Sequence, residues 1–142
     1  MKVYADASFI VSLYSPDANS MAAARLMQSS AADCFVTTFG ELEVVNAMGL
    51  RVFREEVSAA QAQSSLLEFD EDLSNKVFQL RPLVDAMVER ARLLARQTTA
   101  KLGTRTADIL HLAAALELDV DYLYTFDRQQ RKLAQTLRLK LN

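Results

Sequence analysis

Short β-rich runs alternate with helical stretches along the whole of this 142-residue chain, and this alternation limits its possible folds more than any other feature. Runs of strand character lie at 2–5, 34–38, 77–80 and 122–126, and an apolar run follows at 139–141. Strands joined through helices pair in parallel by crossover connections. The pattern therefore predicts an α/β fold, a three-layer α/β/α sandwich with a mostly parallel central sheet.

Turn residues, capping signals and the 3–4 spacing of apolar residues divide the rest of the chain into helices. The expected helices lie around 9–14, 21–28 and 40–53, after the capping box at Ser58, between Pro82 and about Thr98, at 107–118, and after Asp127. Ser20 is the expected N-cap of the second helix, and Thr104 or Thr106 that of the helix at 107–118. The acidic residues at 70–72 are expected in a loop.

Length and composition are those of an ordinary globular domain. Of the 142 residues, 51% are hydrophobic and 24% are charged, so we expect one domain over 1–142. One cysteine and one histidine exclude an internal disulfide framework and zinc sites built from several such residues. No apolar stretch reaches the roughly 18–20 residues of a membrane span. The sequence thus predicts a soluble, cytoplasmic protein.

The overall charge argues weakly against a nucleic-acid partner, but its distribution is uneven. The formal net charge is −2 and the pI about 5.4, whereas nucleic-acid-binding domains are usually basic. From position 128 onward there are five basic residues and no acidic one, and 66–74 holds four acids and no base. A basic surface remains available in spite of the acidic total.

Acidic residues follow several of the predicted strands. Asp6 and Asp127 stand where two strands end, and Glu41 and Glu43 lie in the first turns of the helix after a third strand. Asp108 lies in the first turn of the apolar helix at 107–118. Because the functional crevice of an open parallel sheet lies beyond the carboxyl ends of its strands, four of these acids can converge there.

Each acid also has an ordinary structural interpretation. Asp6 and Asp127 could be helix N-caps, Asp108 could interact only with the helix dipole, and Glu43 could be a solvated helix residue. Capping alone does not require all of the acids to lie at one end of the sheet. Their common placement therefore favours a shared function.

Clustered carboxylates need a compensating charge. Two of them ~4 Å apart repel by about 4 kcal/mol at an effective dielectric near 20. Oxygen ligands without histidine or cysteine select hard divalent cations such as Mg²⁺ or Mn²⁺. Such an ion activates water and stabilises charge on a phosphoryl oxygen, so the pattern favours phosphodiester hydrolysis.

Four motifs in this order resemble those of PIN-domain nucleases, and in particular their VapC-type toxins. The resemblance rests on Tyr4-Ala5-Asp6-Ala7-Ser8, Glu43-Val44-Val45-Asn46-Ala47, the stretch 103–115 around Asp108, and Leu123-Tyr124-Thr125-Phe126-Asp127. Each motif alone is weakly specific, but the ordered set spans almost the whole chain. At position 7 this chain has Ala where the family usually has Thr or Ser.

The resemblance implies a Mg²⁺- or Mn²⁺-dependent endoribonuclease, the toxin of a type II toxin–antitoxin pair. The residues that it places at the catalytic metal site are Asp6, Glu43, Asp108 and Asp127. Ser8 and Thr125 would be hydroxyls that orient carboxylates or water. The expected partners are an RNA substrate, a cognate antitoxin and a second copy of the chain in a homodimer, with no membrane.

Two further choices stay open at this point. Glu41 competes with Glu43, since residues two apart on a helix point about 200° from one another and only one can face the metal; the Asn-Ala spacing favours Glu43. His111, one turn after Asp108, could be a general base, although a lone histidine on an apolar helix is more often hydrogen-bonded in the core. Asn46 could support Glu43 or merely pack.

Basic and apolar surfaces supply candidate contacts for the partners. The candidates for contacts with RNA phosphates are Arg105, Arg128, Arg131 and Lys132, and the alternative for each is a solvated basic face. The helix with Met21, Leu26 and Met27 and the apolar face around Leu66, Leu67 and Phe69 could form a groove for an antitoxin segment.

Two other functions compete with the nuclease. A PIN-like module could bind RNA or protein without cutting, but retention of all four acids argues against it. A receiver- or phosphatase-like phosphoryl-transfer protein also has Asp at strand ends. Such phosphatases need a second Asp two residues after the first, where this chain has Ser8, and no phosphate-binding P-loop motif occurs.

Overall fold

The protein is described as a computed structural model that covers residues 1–142. In chain order its elements are β1 (Lys2–Ala5), α1 (Ala7–Tyr14), α2 (Ser20–Ser29), β2 (Asp33–Thr37), α3 (Thr38–Phe53), α4 (Ala59–Ser74), β3 (Phe78–Arg81), α5 (Asp85–Leu102), α6 (Thr106–Glu117), β4 (Tyr122–Tyr124), α7 (Arg128–Thr136) and β5 (Lys140–Leu141). None of the helices combines the length and the apolar character needed to cross a lipid bilayer.

All five strands belong to one parallel sheet in the order β3-β2-β1-β4-β5. From β1 the chain moves outward to β2 and β3, then returns to pair β4 against the other side of β1. The direction of strand addition thus reverses between β1 and β4. In doubly wound sheets this switch point leaves a crevice beyond the strand ends.

The two faces of the sheet are covered by different helices, which confirms the three-layer sandwich. Side chains alternate along β1, so Val3 and Ala5 pack with α1 to α4 while Tyr4 packs with α5, α6 and α7. Each face has its own core of 14 buried residues. Helix α6 is buried along most of its length, as its nearly uniform apolar sequence predicted.

Three local predictions were wrong. Helix α4 continues through 70–72 to Ser74, because Phe69 and Leu73, four residues apart, pack on the core while the acids between them face outward or toward Tyr14. Ser20 is the first residue of α2 and not its N-cap, since Asp17 and Ser20 bond to one another instead. Helix α6 has Arg105 at its N-cap position, with no side-chain hydrogen bond, rather than Thr104 or Thr106.

Candidate active site

The carboxyl ends of β1, β2 and β4 lie side by side at the centre of the sheet. The backbone N–H of Asp6 donates to the carbonyl of Tyr124 at 3.1 Å, so the segments that leave β1 and β4 stay together. Residues from α1, α3, α6 and α7 reach this edge because each of these helices begins close to it. The edge therefore brings together residues that are distant in sequence.

Asp6 is fully buried and accepts hydrogen bonds on both carboxylate oxygens. Oδ1 accepts from Ser8 Oγ at 2.7 Å and from the Phe9 N–H at 2.9 Å, and Oδ2 accepts from Thr125 Oγ1 at 2.7 Å. The bond from Phe9 makes Asp6 the N-cap of α1. Burial raises the pKa of Asp6, although its interaction with His111 and these hydrogen bonds oppose the shift.

Ser8 and Thr125 hold Asp6 against the loop that follows β4. Ser8 Oγ accepts from the Phe126 N–H at 2.9 Å, and Thr125 Oγ1 accepts from the Asp127 N–H at 3.0 Å. Each hydroxyl thus donates to a carboxylate and accepts from a backbone amide. The orientation of Asp6 and the position of Asp127 are coupled through these two side chains.

Gln130 connects Asp108 to Asp127, and sequence reasoning did not single it out. Its backbone N–H donates to Asp127 Oδ1 at 2.9 Å, which makes Asp127 the N-cap of α7, and its Nε2 donates to Asp108 Oδ1 at 3.3 Å. Burial first, and the charge of Asp127 second, raise the pKa of Asp108. Its position in the sequence could have indicated this contact, because the residue three after an N-cap Asp lies beside the capping carboxylate.

Glu43 projects from α3 toward the same sheet edge. It lines a cleft beside this edge, which Glu41 does not. The Glu43 carboxylate accepts a hydrogen bond from Nε2 of His111, which lies on α6 and is 1% exposed. A histidine in this position has no access to solvent for proton exchange with a bound water. The structure therefore favours the interpretation of His111 as a buried, hydrogen-bonded residue and not as a general base.

A cleft of about 530 Å³ opens between α1, α3 and the start of α7. Ser8, Glu43, Asn46 and Asp127 line one end of it. Asp6 and Asp108 do not line the cleft, and both are less than 10% exposed. The site therefore has two accessible acids, Glu43 and Asp127, and two buried ones.

The remaining predicted site residues are placed as follows. Asn46 lines the cleft and makes no hydrogen bond to Glu43. Arg105, Arg128 and Lys132 are exposed. Arg131 is instead held in the fold, because its guanidinium donates to the Thr125 carbonyl at 3.0 Å and to Asn142 Oδ1 at 3.2 Å.

The donor atoms at this sheet edge are of the type that suits a hard divalent cation. No Lys or Arg forms an ion pair with any of the four acids. All of the donor atoms are carboxylate oxygens, the type that Mg²⁺ and Mn²⁺ prefer. No three acidic, histidine or cysteine side chains stand grouped as ready ligands, and each acid is held by its own hydrogen bonds.

The fold is a doubly wound parallel α/β domain with acidic residues at the carboxyl edge of its sheet, and comparison with known families gives the more specific assignment. The profile of the PIN domain family matches residues 3–135. The chain belongs to the PIN domain family. Comparison with curated protein sequences gave no match.

Solved structures share this fold at low sequence identity. The toxin VapC20 of Mycobacterium tuberculosis, described as cleaving the sarcin-ricin loop, is 18% identical with a TM-score of 0.71, and the match covers 92% of this chain and 93% of that one. VapBC2 from Rickettsia felis, bound to a promoter DNA fragment, is 16% identical with a TM-score of 0.68, covering 100% and 98%. VapBC-1 from nontypeable Haemophilus influenzae is 14% identical with a TM-score of 0.66, covering 100% and 97%. At these identities the likeness is one of fold.

Proposed function

We propose that this protein is a Mg²⁺- or Mn²⁺-dependent endoribonuclease and the toxin of a toxin–antitoxin pair. The observation that carries the proposal is that Asp6, Glu43, Asp108 and Asp127 reach the same sheet edge and that none of them forms an ion pair with Lys or Arg. Membership of the PIN family supports it, as do fold relatives that include toxins and toxin–antitoxin complexes.

In this proposal Asp6, Glu43, Asp108 and Asp127 would hold the cation, and the residues hydrogen-bonded to them would orient their carboxylates. A bound Mg²⁺ or Mn²⁺ lowers the pKa of water and stabilises negative charge on a phosphate oxygen. Ser8 and Thr125 keep Asp6 oriented through their hydroxyl donors, and Gln130 donates hydrogen bonds to both Asp108 and Asp127. Glu43 and Asp127 line the cleft and so face the substrate side.

The decisive experiment is cleavage of single-stranded or looped RNA in Mg²⁺ or Mn²⁺. Asp108→Asn should abolish cleavage while the far-UV circular dichroism spectrum stays that of the wild type. Asp70→Asn, which removes an exposed acid on α4, is the matched control and should cleave normally. Equal activity of the wild type in EDTA would refute metal dependence. Metal binding without cleavage would instead indicate a PIN-like binding module.

The exposed basic residues are the proposed contacts to the RNA backbone. Arg128 directly follows Asp127, and Lys132 lies one turn further along the same face of α7. Arg105 precedes the helix that carries Asp108. Arginine and lysine at such positions neutralise phosphates without reading sequence. Arg131 is left out of this role because its guanidinium is committed to the fold.

We propose that an antitoxin segment binds an apolar groove between α3 and α4. The groove has a volume of about 520 Å³ and is lined by Val45, Val52, Leu66 and Leu67, of which Val45 and Leu67 are 47% and 62% exposed. Phe69, which the sequence also suggested for this surface, is fully buried in the core and unavailable.

The partner to test is a small protein encoded directly upstream, with a DNA-binding N-terminus. Co-expression should give a stable complex that elutes together on size exclusion. Leu67→Glu should weaken the complex and leave RNA cleavage by the free toxin intact, whereas Leu93→Glu, at a 59% exposed leucine on α5 outside the groove, should change neither. An unweakened complex with Leu67→Glu would exclude this groove.

A further inference from the structure

A buried chain of hydrogen bonds ends on Glu43. Tyr4, on β1, lies with its hydroxyl 3.0 Å from Thr37 Oγ1 and 2.8 Å from His111 Nδ1. On the other side of the ring, His111 Nε2 bonds to Glu43 Oε2. Tyr4, Thr37 and His111 are each 1% exposed or less, so water does not substitute for any of these partners.

The hydrogen bonds of this network all donate in one direction, toward Glu43. The Glu43 carboxylate only accepts, so Nε2 carries a proton, and Nδ1 is placed to accept from the Tyr4 hydroxyl. The Tyr4 oxygen in turn accepts from Thr37 Oγ1, which itself accepts from the Gly40 N–H at 3.1 Å. Every buried donor and acceptor along the path is satisfied, and such networks fix one side-chain arrangement.

Packing prevents the His111 ring from turning. The rings of Phe39 and Tyr4 lie 5.3 Å and 5.7 Å from it, centroid to centroid. At Gly40 a Cβ atom would lie 3.6 Å from His111 Cε1 and only 3.0 Å from Val36 Cγ2. The glycine therefore avoids a close contact with Val36 and leaves the start of α3 in van der Waals range of the imidazole, so Phe39, Tyr4 and the α3 backbone enclose the ring.

We infer that His111, aligned by Tyr4, is a positioning residue that fixes Glu43 for metal binding. It engages Oε2, while Oε1 has no hydrogen bond within the protein, and Glu43 lines the cleft. Carboxylates that bind metals are themselves usually held by a hydrogen bond of this kind, and loss of that partner typically lowers metal affinity about 10- to 100-fold. The inference rests on the proposed function, since it concerns the same metal site.

Mn²⁺ affinity of the intact protein, measured by titration with electron paramagnetic resonance detection, tests the inference without any RNA. His111→Leu keeps the apolar bulk but loses the donor, and should weaken Mn²⁺ binding roughly 10- to 100-fold. His111→Gln retains an amide donor directed at Glu43 and should recover much of the affinity. Tyr4→Phe should also weaken Mn²⁺ binding, by a smaller factor. If His111→Leu does not fold, the Mn²⁺ affinities of Tyr4→Phe and His111→Gln test the inference instead.

Two controls separate positioning from a general loss of packing. Phe69→Leu loosens packing in the core on the other face of the sheet, where Phe69 contacts Tyr14 and Phe78, so it should lower Tm and leave Mn²⁺ affinity unchanged. In a Glu43→Gln background, His111→Leu should cause no further loss, because its effect passes through Glu43.

The outcomes distinguish this inference from the proposed function. If the wild type binds no Mn²⁺, both fail. If it binds Mn²⁺ and cleaves RNA while His111→Leu and Tyr4→Phe bind as tightly as the wild type, only the role of His111 is refuted. An equal additional loss from His111→Leu in the Glu43→Gln background also refutes it.

Discussion

Asp108 shares its surroundings with a second carboxylate, and its side-chain hydrogen-bond partner is the neutral amide of Gln130. Burial and the charge of Asp127 both raise the pKa of Asp108, so its ionised form destabilises the metal-free fold. Asp108→Asn removes that charge and keeps an oxygen that can accept from Gln130. In EDTA we expect the variant to be more stable by about 1 kcal/mol, which raises Tm by about 3–5 °C in differential scanning calorimetry.

Added metal should reverse the order of stability of the wild type and Asp108→Asn. A ligand that binds only the native state stabilises it in proportion to its affinity, so Mn²⁺ should raise Tm of the wild type more than that of Asp108→Asn. Asp70→Asn should behave as the wild type in both conditions. Equal Mn²⁺ shifts for the wild type and Asp108→Asn would argue against a shared site.

Asp17, at the far end of the cleft, provides a pH-dependent contribution to stability. Burial alone would raise its pKa, but hydrogen bonds from Arg51 and Ser12, each 2.8 Å long, and from the Asn19 N–H lower it. Because the native pKa lies below that of the unfolded chain, the stabilisation is present above about pH 4 and is lost as the pH falls through the native value. Asp17→Asn should therefore cost about 1–2 kcal/mol at neutral pH and progressively less in acid.

Urea unfolding of the wild type and Asp17→Asn across this pH range gives the difference directly. Other carboxylates titrate in both proteins and cancel in the comparison. Asp70→Asn, an exposed acid without an ion pair, should give a small difference that does not vary with pH. A cost for Asp17→Asn that stays constant down to pH 3 would contradict the assignment.

Among the elements, α4 depends on its first turn because it carries few buried residues. Its N-cap, Ser58, accepts from the Gln61 N–H at 3.1 Å, and Gln61 Oε1 accepts from the Ser58 N–H at 2.8 Å. Ser58→Ala breaks this reciprocal pair and should lower the free energy of unfolding by about 1 kcal/mol. Ser64→Ala, at an exposed position of the same helix, is the matched control.

Chemical denaturation of both variants measures this cost. Since α4 forms one wall of the apolar groove, Ser58→Ala should also raise amide hydrogen exchange in the first turns of α4. Exchange equal to that of Ser64→Ala would mean that packing, not the cap, holds this end of the helix.

The same helix shows what sequence patterns capture at the scale of an element. The capping box at Ser58 predicted where α4 begins. Its end was misplaced because the acids at 70–72 suggested solvent and a loop, whereas Phe69 and Leu73 continue the apolar spacing beneath them. At α6, Thr104 has the chemistry of a cap, but it is buried and its hydroxyl has no partner. Side-chain chemistry alone therefore does not locate a cap.

For the whole molecule, the alternation of strands and helices was enough to predict a parallel three-layer sandwich, because parallel pairing requires crossovers. It was also enough to expect Asp6 and Asp127 at one edge, since parallel strands end together. Strand order, which places β4 beside β1, depends on tertiary packing and was not predicted. The contacts of Gln130 with Asp108 and of His111 with Glu43 were missed for the same reason, as they join side chains from different layers.

The direction of α7 relative to the sheet separates its basic residues into two groups. The helix begins at the edge that carries the acids and runs toward the opposite edge, where Arg138 follows it. Arg128 and Lys132, in its first turns, should therefore contact RNA at the cleft, whereas Arg138 should not. Loss of one contact between a basic side chain and a phosphate of single-stranded RNA reduces the magnitude of the slope of log K against log salt by about 0.7.

Fluorescence anisotropy with a labelled single-stranded RNA measures this slope, and an Asp108→Asn background prevents cleavage during the titration. Arg128→Gln and Lys132→Gln should each weaken binding and lower the slope by about 0.7, with Tm unchanged. Arg138→Gln is the matched control and should leave the slope as it is. Arg131→Gln should instead lower Tm, because its guanidinium links α7 to the Thr125 carbonyl and to Asn142. Equal slopes for Arg128→Gln and Arg138→Gln would mean that RNA does not approach along the start of α7.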